Sequence, residues 1–209
     1  MPETTSPRQQ YTGILLIPPA TAVAKRTIDI CGALIGLAVT LLLTPFITTA
    51  IRLDSPGPIL FRQPRAGLEG RPFIAYKFRS MSHNPQTATT KIIAKNRHDP
   101  RITRIGRFLR RWSLDELPQF WNMLKGEISL VGPRPEDIHI VAQYNEQQRQ
   151  CLLVKPGLTG PMQIAGRGNL STEQRLQLDL TYIGHITLRG DLLIILRTIP
   201  AVIRGTGAY

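Results

Sequence analysis

The sequence is poor in cysteine and in acidic residues, and these shortages exclude several classes of protein. Its two cysteines, Cys31 and Cys151, form no C-x-x-C pair, so we expect neither a disulfide framework nor a zinc site. The phosphate-binding motifs G-x-x-x-x-G-K-[ST] and G-x-G-x-x-G are absent, so any nucleotide must be bound by another arrangement. Only 14 acids oppose 26 lysines and arginines, and the net charge of +12 predicts an anionic partner: nucleic acid, a membrane surface or a phosphorylated substrate.

Long apolar runs are also scarce, with one exception near the N-terminus. Between Asp29 and Arg52 lie 22 uncharged, mostly apolar residues, which as a helix would extend about 33 Å, enough for a bilayer core. Basic residues flank this segment on both sides, which does not suit a helix that crosses the membrane. We therefore expect a re-entrant membrane helix over residues 25–56, bent at Thr44 and Pro45, with the Thr44 hydroxyl bonding carbonyls that the proline frees. A crossing helix and a buried soluble helix are the alternatives.

Positive charge is concentrated in the middle of the chain. Residues 62–111 contain thirteen lysines and arginines against two acids. Within residues 59–81, short apolar and aromatic runs broken by glycine and proline predict strands and loops. Lys77 and Arg79 alternate with aromatic residues there, so a strand would place both cations on one face. That face either meets a phosphate or is simply the solvated side of an edge strand.

A basic helix is predicted after a polar loop. Residues 83–96 are turn-prone and are expected to form a flexible loop. Asp99 and Pro100 then suit the cap and first position of a helix, in which apolar residues recur at helical spacing among five arginines over residues 101–112. Such a helix is typical of one lying on anionic lipid, although a DNA-reading helix or a solvated surface helix has the same pattern.

An acidic pair, Asp115 and Glu116, follows this basic run and allows two interpretations. Ser113 and Glu116 match the capping box S-x-x-E, so the acids could simply begin a helix. Pro118 would break such a helix early, so the helix could instead begin at Pro118 and leave both acids facing a cavity. In either case the adjacent arginines are expected to keep the two carboxyls ionised.

Two further arginines lie in constrained loops. Arg134 stands between two prolines, which would aim its guanidinium at a phosphate or a carboxylate. Arg167 lies between glycines, in a loop whose backbone N–H groups could face phosphate or could form an ordinary turn.

The C-terminal third predicts two more helices. One begins at a Ser171 cap, and its Arg175 and Asp179, four residues apart, are expected to form a surface ion pair. The other covers residues 189–205, is strongly apolar and is interrupted at Pro200. It is too short between charges to cross a membrane, so we expect it to pack on the domain or at the membrane interface.

Several motifs occur in an order that resembles one family. They are "KRTIDI", "LDSPGPILFRQ", "YKFRSM", "SLDELPQFWNMLKGEISLVGPRP" and "KPGLTG", and the match runs from Lys25 to the C-terminus. The chain resembles a bacterial sugar transferase of the monotopic phosphoglycosyl transferase superfamily, in its small form with the catalytic unit alone. The resemblance implies a compact α/β domain held on the cytoplasmic face of the bacterial inner membrane by a re-entrant helix and amphipathic surface helices. Residues 1–24 would be a flexible extension, residues 25–56 the membrane helix and residues 57–209 the catalytic domain.

The resemblance also implies a reaction. Sugar-1-phosphate would move from a UDP-sugar to polyprenol phosphate, giving UMP and a polyprenyl-diphospho-sugar, the first membrane step towards a surface glycoconjugate such as an exopolysaccharide or lipopolysaccharide. Asp115 would be the nucleophile that forms a covalent phosphosugar intermediate, and Glu116 its partner, both near a bound Mg²⁺. A carboxylate can attack phosphorus and later leave, and basic residues can hold the developing charge.

Six further residues are expected at the substrate site on the same grounds: Lys77, Arg110, Arg134, Gln163, Arg167 and Asp179. The chain departs from the family pattern at Pro161 and Met162, where relatives often have tryptophan and alanine, which affects the shape of that loop. The implied partners are a UDP-sugar, polyprenol phosphate and the anionic inner membrane, without nucleic acid, and a homodimer is left open. The alternative is a non-catalytic membrane scaffold or polyanion-binding protein.

Overall fold

The computed structural model describes residues 17–82, 99–205 and 207, and within them helices and strands are mixed. The helices are α1 (Pro19–Asp54), α2 (Arg104–Arg111), α3 (Gln119–Lys125), α4 (Ile138–Val141), α5 (Glu146–Arg149), α6 (Pro161–Ala165), α7 (Thr172–Gly184) and α8 (Leu188–Arg204). The strands are β1 (Leu60–Ala66), β2 (Pro72–Phe78), β3 (Ser129–Val131) and β4 (Gly157–Thr159). The loop predicted over residues 83–96 lies outside the described residues, as does most of the predicted N-terminal extension.

Helix α1 is the long apolar element expected near the N-terminus, although it begins at Pro19 rather than at Lys25. By length and composition it could cross a membrane. It continues through Pro45 as helix, and Thr44 Oγ1 donates to the Thr40 carbonyl at 2.6 Å. The hydroxyl therefore does not bond the carbonyl that the proline frees, which belongs to Leu41, four residues before it. The re-entrant course stays a prediction.

One stripe of α1 packs on the rest of the protein, and the other side is exposed. The stripe recurs at helical spacing from the first third of the helix to its end: Asp29, Ala33, Gly36, Thr40, Ile47 and Ile51. Large apolar side chains cover the opposite side: Leu34, Ile35, Leu41, Leu42 and Phe46. Ala33 is fully buried in a core cluster with Phe73, Ala75, Met123 and Ile128. The apolar helix is thus part of the core of the protein.

The strands predicted within residues 59–81 are present as β1 and β2, which pair as an antiparallel hairpin with Phe61 opposite Lys77 and Arg65 opposite Phe73. Arg79 lies just beyond β2 and is buried, and its Nη2 donates to the Ser55 carbonyl at the end of α1 at 2.5 Å. Arg79 lies one residue beyond the end of β2, so the expectation that Lys77 and Arg79 share one strand face stays a prediction.

Helix α2 begins later than the sequence predicted. Thr103, not Asp99, caps it by accepting a hydrogen bond from the Gly106 N–H. Asp99 instead closes a turn with the backbone and side chain of Arg101, and Ile102 pairs with Met81 in an isolated β-bridge. Because this bridge holds Ile102 extended, the helix cannot start before it. Contact of α2 with lipid stays a prediction.

The C-terminal helices surround a second, parallel pair of strands. β3 and β4 pair Ser129 with Gly157 and Val131 with Thr159. The predicted Ser171 cap is confirmed, and Gln174 completes it as a capping box. Helix α8 continues through Pro200, so the predicted interruption there is wrong. It buries Ile194 and leaves an apolar side exposed: Leu192, Leu193, Leu196, Ile199 and Ile203.

Candidate active site

The acidic pair lies on a short 3₁₀ turn, Leu114–Glu116, between α2 and α3. Ser113 has the left-handed φ of 55° and its side chain caps nothing, so the capping-box interpretation is wrong. Helix α3 begins at Gln119, directly after Pro118. The other interpretation, in which the acids precede a helix that starts at the proline, is confirmed.

Two cations converge on one oxygen of Glu116. Lys77 Nζ donates to Glu116 Oε1 at 2.7 Å, and Arg134 Nη2 donates to the same oxygen at 2.8 Å. Burial would raise the pKa of Glu116, but Arg134 and Lys77 outweigh it and hold that pKa well below its usual range. Glu116 is therefore an ionised carboxylate, and Arg134 between its two prolines meets a carboxylate as predicted.

Asp115 has a different environment, although it is the next residue. It is only 8% exposed, and its carboxyl group accepts no hydrogen bond from any described residue. Burial and the neighbouring Glu116 raise the pKa of Asp115, against the opposing effect of Lys77, Arg110 and Arg134. The lowered pKa of Glu116 supports the expectation that this acid stays ionised, whereas burial acts against ionisation of Asp115 and raises its pKa.

The other predicted cations surround this pair at different depths. Arg110 on α2 turns inward, and its Nε donates to Ser80 Oγ at 2.8 Å. Arg167 has a left-handed φ of 53°, and its Nε is buried without a hydrogen-bond partner. The charges of Asp115 and Glu116 both act on the Arg110 and Arg167 guanidinium groups. The structure therefore brings Lys77, Arg110, Arg134 and Arg167 together around the acids.

Arg65 was missed by the sequence analysis. It lines a cleft with Lys77, Glu116 and Arg134, and burial lowers its pKa, with Arg134 adding to the effect. Strand alternation could have indicated this residue, because β1 places every second side chain on one face. With the observed register, Arg65 lies on the same face of the hairpin as Lys77 of β2. The register itself could not be read from the sequence.

Neither Gln163 nor Asp179 lines the cleft at Glu116. Gln163 is buried, and its Oε1 has no hydrogen-bond partner. Asp179 lines a larger cavity and forms no ion pair with Arg175, whose Nη2 donates to the Leu170 carbonyl at 3.1 Å instead. The predicted surface ion pair is therefore wrong, because both side chains turn toward the cavity rather than toward each other.

This cavity has a volume of about 290 Å³ and shares Arg134 and Pro135 with the cleft at Glu116. Burial and Glu136 raise the pKa of Asp179 to about 7, against the effect of Arg175. Burial raises the pKa of Cys151, on the same wall, to about 12. Through Arg134 and Pro135 the cavity therefore adjoins the cleft that Glu116 lines.

The acidic pair could take part in binding Mg²⁺. Among the described residues there is no group of three or more His, Cys, Asp or Glu side chains that could hold a metal. Mg²⁺ in phosphate-binding sites commonly uses only one or two carboxylates and completes its shell with water and substrate phosphates. Asp115 and the second oxygen of Glu116, which carries no hydrogen bond from a described residue, suit that kind of site.

Comparison with known proteins gives consistent matches. A family model described as "Bacterial sugar transferase" matches residues 20–205. The chain is 43% identical to "Galactosyl transferase CpsE" of Streptococcus agalactiae, over 89% of this chain and 43% of that protein. It is 41% identical to "UDP-glucose:undecaprenyl-phosphate glucose-1-phosphate transferase" of Caulobacter vibrioides, over 91% of this chain and 73% of that protein. It is 37% identical to "Uncharacterized sugar transferase EpsL" of Bacillus subtilis, over 88% of this chain and 90% of that protein.

The extent of these matches differs between relatives. The chain spans well under half of the streptococcal protein and of several further relatives, but nearly the whole of the Bacillus protein. In every case the matched part covers most of this chain, including the acidic pair and the basic residues around it. The chain belongs to the bacterial sugar transferase family.

Proposed function

We propose that this protein transfers sugar-1-phosphate from a UDP-sugar to polyprenol phosphate. The observation that carries the proposal is the pairing of a buried Asp115, free of hydrogen bonds from described residues, with a Glu116 held by two cations. The name of the Caulobacter relative states a UDP-sugar donor and an undecaprenyl-phosphate acceptor for that protein. The same two substrates suit a cationic cleft beside an apolar membrane helix.

Asp115 acts as the nucleophile in this proposal. One carboxylate oxygen attacks the phosphorus that bears the sugar, a P–O bond to Asp115 forms, and the bond to the departing UMP breaks. An oxygen of polyprenol phosphate then attacks the same phosphorus, the bond to Asp115 breaks, and the carboxylate is regenerated. A buried carboxyl without hydrogen bonds keeps its lone pairs available for attack, and two easier steps replace one difficult transfer.

The surrounding cations stabilise the charge that develops. Arg65, Lys77 and Arg134 line the cleft at Glu116, and Arg110 and Arg167 lie close enough for their charges to act on the acids. Fixed cations in a partly dry site stabilise transferring phosphoryl groups strongly, because they need little reorganisation. Bound Mg²⁺, held by Asp115 and Glu116, would neutralise diphosphate oxygens.

The proposal includes a location on the cytoplasmic face of the inner membrane, with α1 entering and leaving on one side. Support comes from contacts at both ends of α1. Near its start, Arg26 Nη1 and Nη2 donate to the carbonyls of Met123 and Leu124 at 2.8 and 2.7 Å. At its end, Asp54 Oδ2 accepts from the Ile105 N–H at 2.9 Å. Both ends thus contact one folded unit, which supports a course that enters and leaves the membrane on the same side.

The test is UMP release by detergent-solubilised protein supplied with a panel of UDP-sugars, undecaprenyl phosphate and Mg²⁺. We expect release with at least one sugar, and its loss by several orders of magnitude in Asp115→Asn, as when a covalent nucleophile is removed. The exposed Glu146→Gln variant is the control for loss of a carboxylate and should keep full activity. Without acceptor, intact mass should rise by one sugar phosphate in the wild type and not in Asp115→Asn.

A different set of results would contradict the proposal. Folded wild-type protein that releases no UMP with any donor, yet binds anionic vesicles equally well with and without Asp115→Asn, would favour the scaffold alternative.

A further inference from the structure

The cavity beside the active site contains polar groups that no part of the described protein satisfies. Asp179 Oδ1 and Arg175 Nε are buried there without hydrogen-bond partners. The Tyr144 hydroxyl, on the same wall, makes no hydrogen bond with a described residue. Buried polar groups are rarely left unsatisfied, and those that are commonly await a ligand or water. A cavity of about 290 Å³ with two such buried groups, and a hydroxyl on its wall that bonds no described residue, is therefore built to receive something polar.

The charges of the cavity indicate a neutral ligand. The cleft at Glu116 has Arg65, Lys77 and Arg134 against one acid, which suits phosphate. The cavity has two acids, Glu136 and Asp179, against the two arginines Arg134 and Arg175. A phosphate would meet repulsion from both acids there, whereas a hydroxyl can donate to a carboxylate and accept from a guanidinium. Balanced charges thus favour an uncharged group rich in hydroxyls.

Connectivity decides which part of a donor substrate would lie in the cavity. In the proposed reaction the attacked phosphorus carries the sugar directly, while the nucleoside is separated from it by a second phosphate. The group bonded to that phosphorus must therefore occupy the space nearest the acidic pair. Arg134 binds Glu116 and also lines the cavity, so a phosphate at Arg134 places its sugar at the cavity mouth.

We propose that this cavity is the binding site for the sugar ring of the donor, with Asp179, Arg175 and Tyr144 bonding its hydroxyls. The inference rests on the proposed function and assigns the sugar-recognition part of the same site. Apolar side chains complete the walls, including Ile140, Leu152 and Leu176, which suits the carbon faces of a sugar ring.

The experiment compares binding of a UDP-sugar with binding of UDP, which lacks the sugar. Titration calorimetry is run on the full-length solubilised protein with both ligands, alongside UMP-release kinetics with the best donor of the panel. Asp179→Asn and Tyr144→Phe are the test variants, since each changes few atoms. Glu173→Gln, which removes an exposed carboxylate from the same helix α7, is the control.

We expect each test variant to bind the UDP-sugar about tenfold more weakly, as is typical of losing one strong hydrogen bond, and to bind UDP within about twofold of wild type. The KM for the donor should rise accordingly, and the preference among donors that differ at one hydroxyl should change. Glu173→Gln should match wild type throughout. A purely structural role for Asp179 would weaken both ligands together.

Two results would overturn the inference. Equal weakening of UDP and UDP-sugar by the test variants would show that the cavity does not recognise the sugar, and unchanged binding of both would show that water alone fills it. If wild type binds the UDP-sugar more tightly than UDP but releases no UMP, the result contradicts the proposed reaction and not the sugar-binding site. Folded wild type that binds neither ligand overturns both.

Discussion

Three carboxyl groups at the candidate site are buried or partly buried, and they differ in the groups that contact them. Glu116 gains Lys77 and Arg134 and stays ionised. Asp115 and Asp179 receive no hydrogen bond from described residues, and the pKa of each is raised, first by burial and then by a neighbouring glutamate. Two of the three acids therefore have no hydrogen-bonding partner among the described residues and can bond a group of the substrate. Leaving them without a partner lowers the stability of the folded protein.

That cost should be visible in the pH dependence of stability. The pKa of Asp179 is about 7 in the folded protein against 3.8 for the ordinary group, so the native state holds the extra proton between these values. Stability contributed by this group is thus fullest below pH 4 and is lost as pH rises to about 7. Asp179→Asn, which has no proton to lose, should melt at a higher temperature than wild type at pH 8 and at nearly the same temperature at pH 4.

Thermal unfolding of detergent-solubilised protein at both pH values measures this difference. The exposed Glu173→Gln variant shows the effect of removing a carboxylate from α7 outside the cavity. An Asp179→Asn variant that is less stable than wild type at pH 8 would show that the carboxylate is satisfied in the folded protein.

At the residue scale, the sequence identified the chemistry but not the contacts. The types and order of Asp115, Glu116 and Arg134 were enough to predict an acidic pair among cations. Arg175 and Asp179 lie on the same side of a helix, which is the spacing of an ion pair. Nothing in the order of residues indicates that Asp179 contacts a cavity instead of pairing with Arg175. Which of two adjacent acids loses its hydrogen bonds depends on packing from distant parts of the chain.

At the element scale, a single glycine, Gly106, allows helix α2 to pack closely against the backbone just after β2. A Cβ atom on Gly106 would lie 1.9 Å from the Ser80 carbonyl oxygen, and that oxygen is backbone and cannot move alone. The same serine accepts the Arg110 side chain through its hydroxyl. The close approach at Gly106 therefore sets the distance at which Arg110 reaches the acids.

Gly106→Ala should push α2 away from Ser80 and carry Arg110 with it. We expect a loss of about 1–3 kcal/mol in unfolding free energy, as for overpacked sites, with a fall in UMP release in the fraction that stays folded. Gly184→Ala is the matched control, because a Cβ there meets nothing within 4 Å, and it should be neutral or stabilising by about 0.4–1 kcal/mol. Denaturant melts and release rates of the two variants, side by side, decide the matter; equal stability of both would contradict the steric role of Gly106.

Local patterns predicted some element boundaries and failed at others for identifiable reasons. The Ser171 cap was predictable, because its partners lie within four residues. The start of α2 was not, because Ile102 is held extended by Met81, a partner from another part of the chain. Pro200 likewise sits inside α8 without ending it. A local sequence pattern predicts a helix boundary well when the residues that set the boundary are also close in the chain.

At the scale of the whole molecule, α1 lies along the body of the protein from one end to the other. Its 36 residues extend about 54 Å. Lys25, near its start, pairs with Asp191 of α8 and donates to the Val131 carbonyl, and its last turn packs on Phe78 and Leu109. The sequence predicted an apolar helix in this place, but its attachment along the whole length depends on contacts distant in the chain.

We expect both termini of the protein to lie on the cytoplasmic side. Tags placed at residue 1 and after residue 209 should both be labelled only when the inner membrane is permeabilised, because both ends of α1 contact the same folded unit. A periplasmic single-cysteine reporter is the positive control for external labelling. Labelling of the residue 1 tag in intact spheroplasts would show that α1 crosses the membrane.

The burial of Ala33 among Phe73, Ala75 and Met123 has a consequence for how the protein is made. The part of the chain that follows α1 cannot complete this core until α1 has docked, because Ala33 lies inside it. If α1 enters the membrane as proposed, folding of this core and membrane attachment become a single event, and we expect chains that stay in the cytosol to remain incompletely folded. Removing α1 to obtain a soluble protein would therefore remove part of its core.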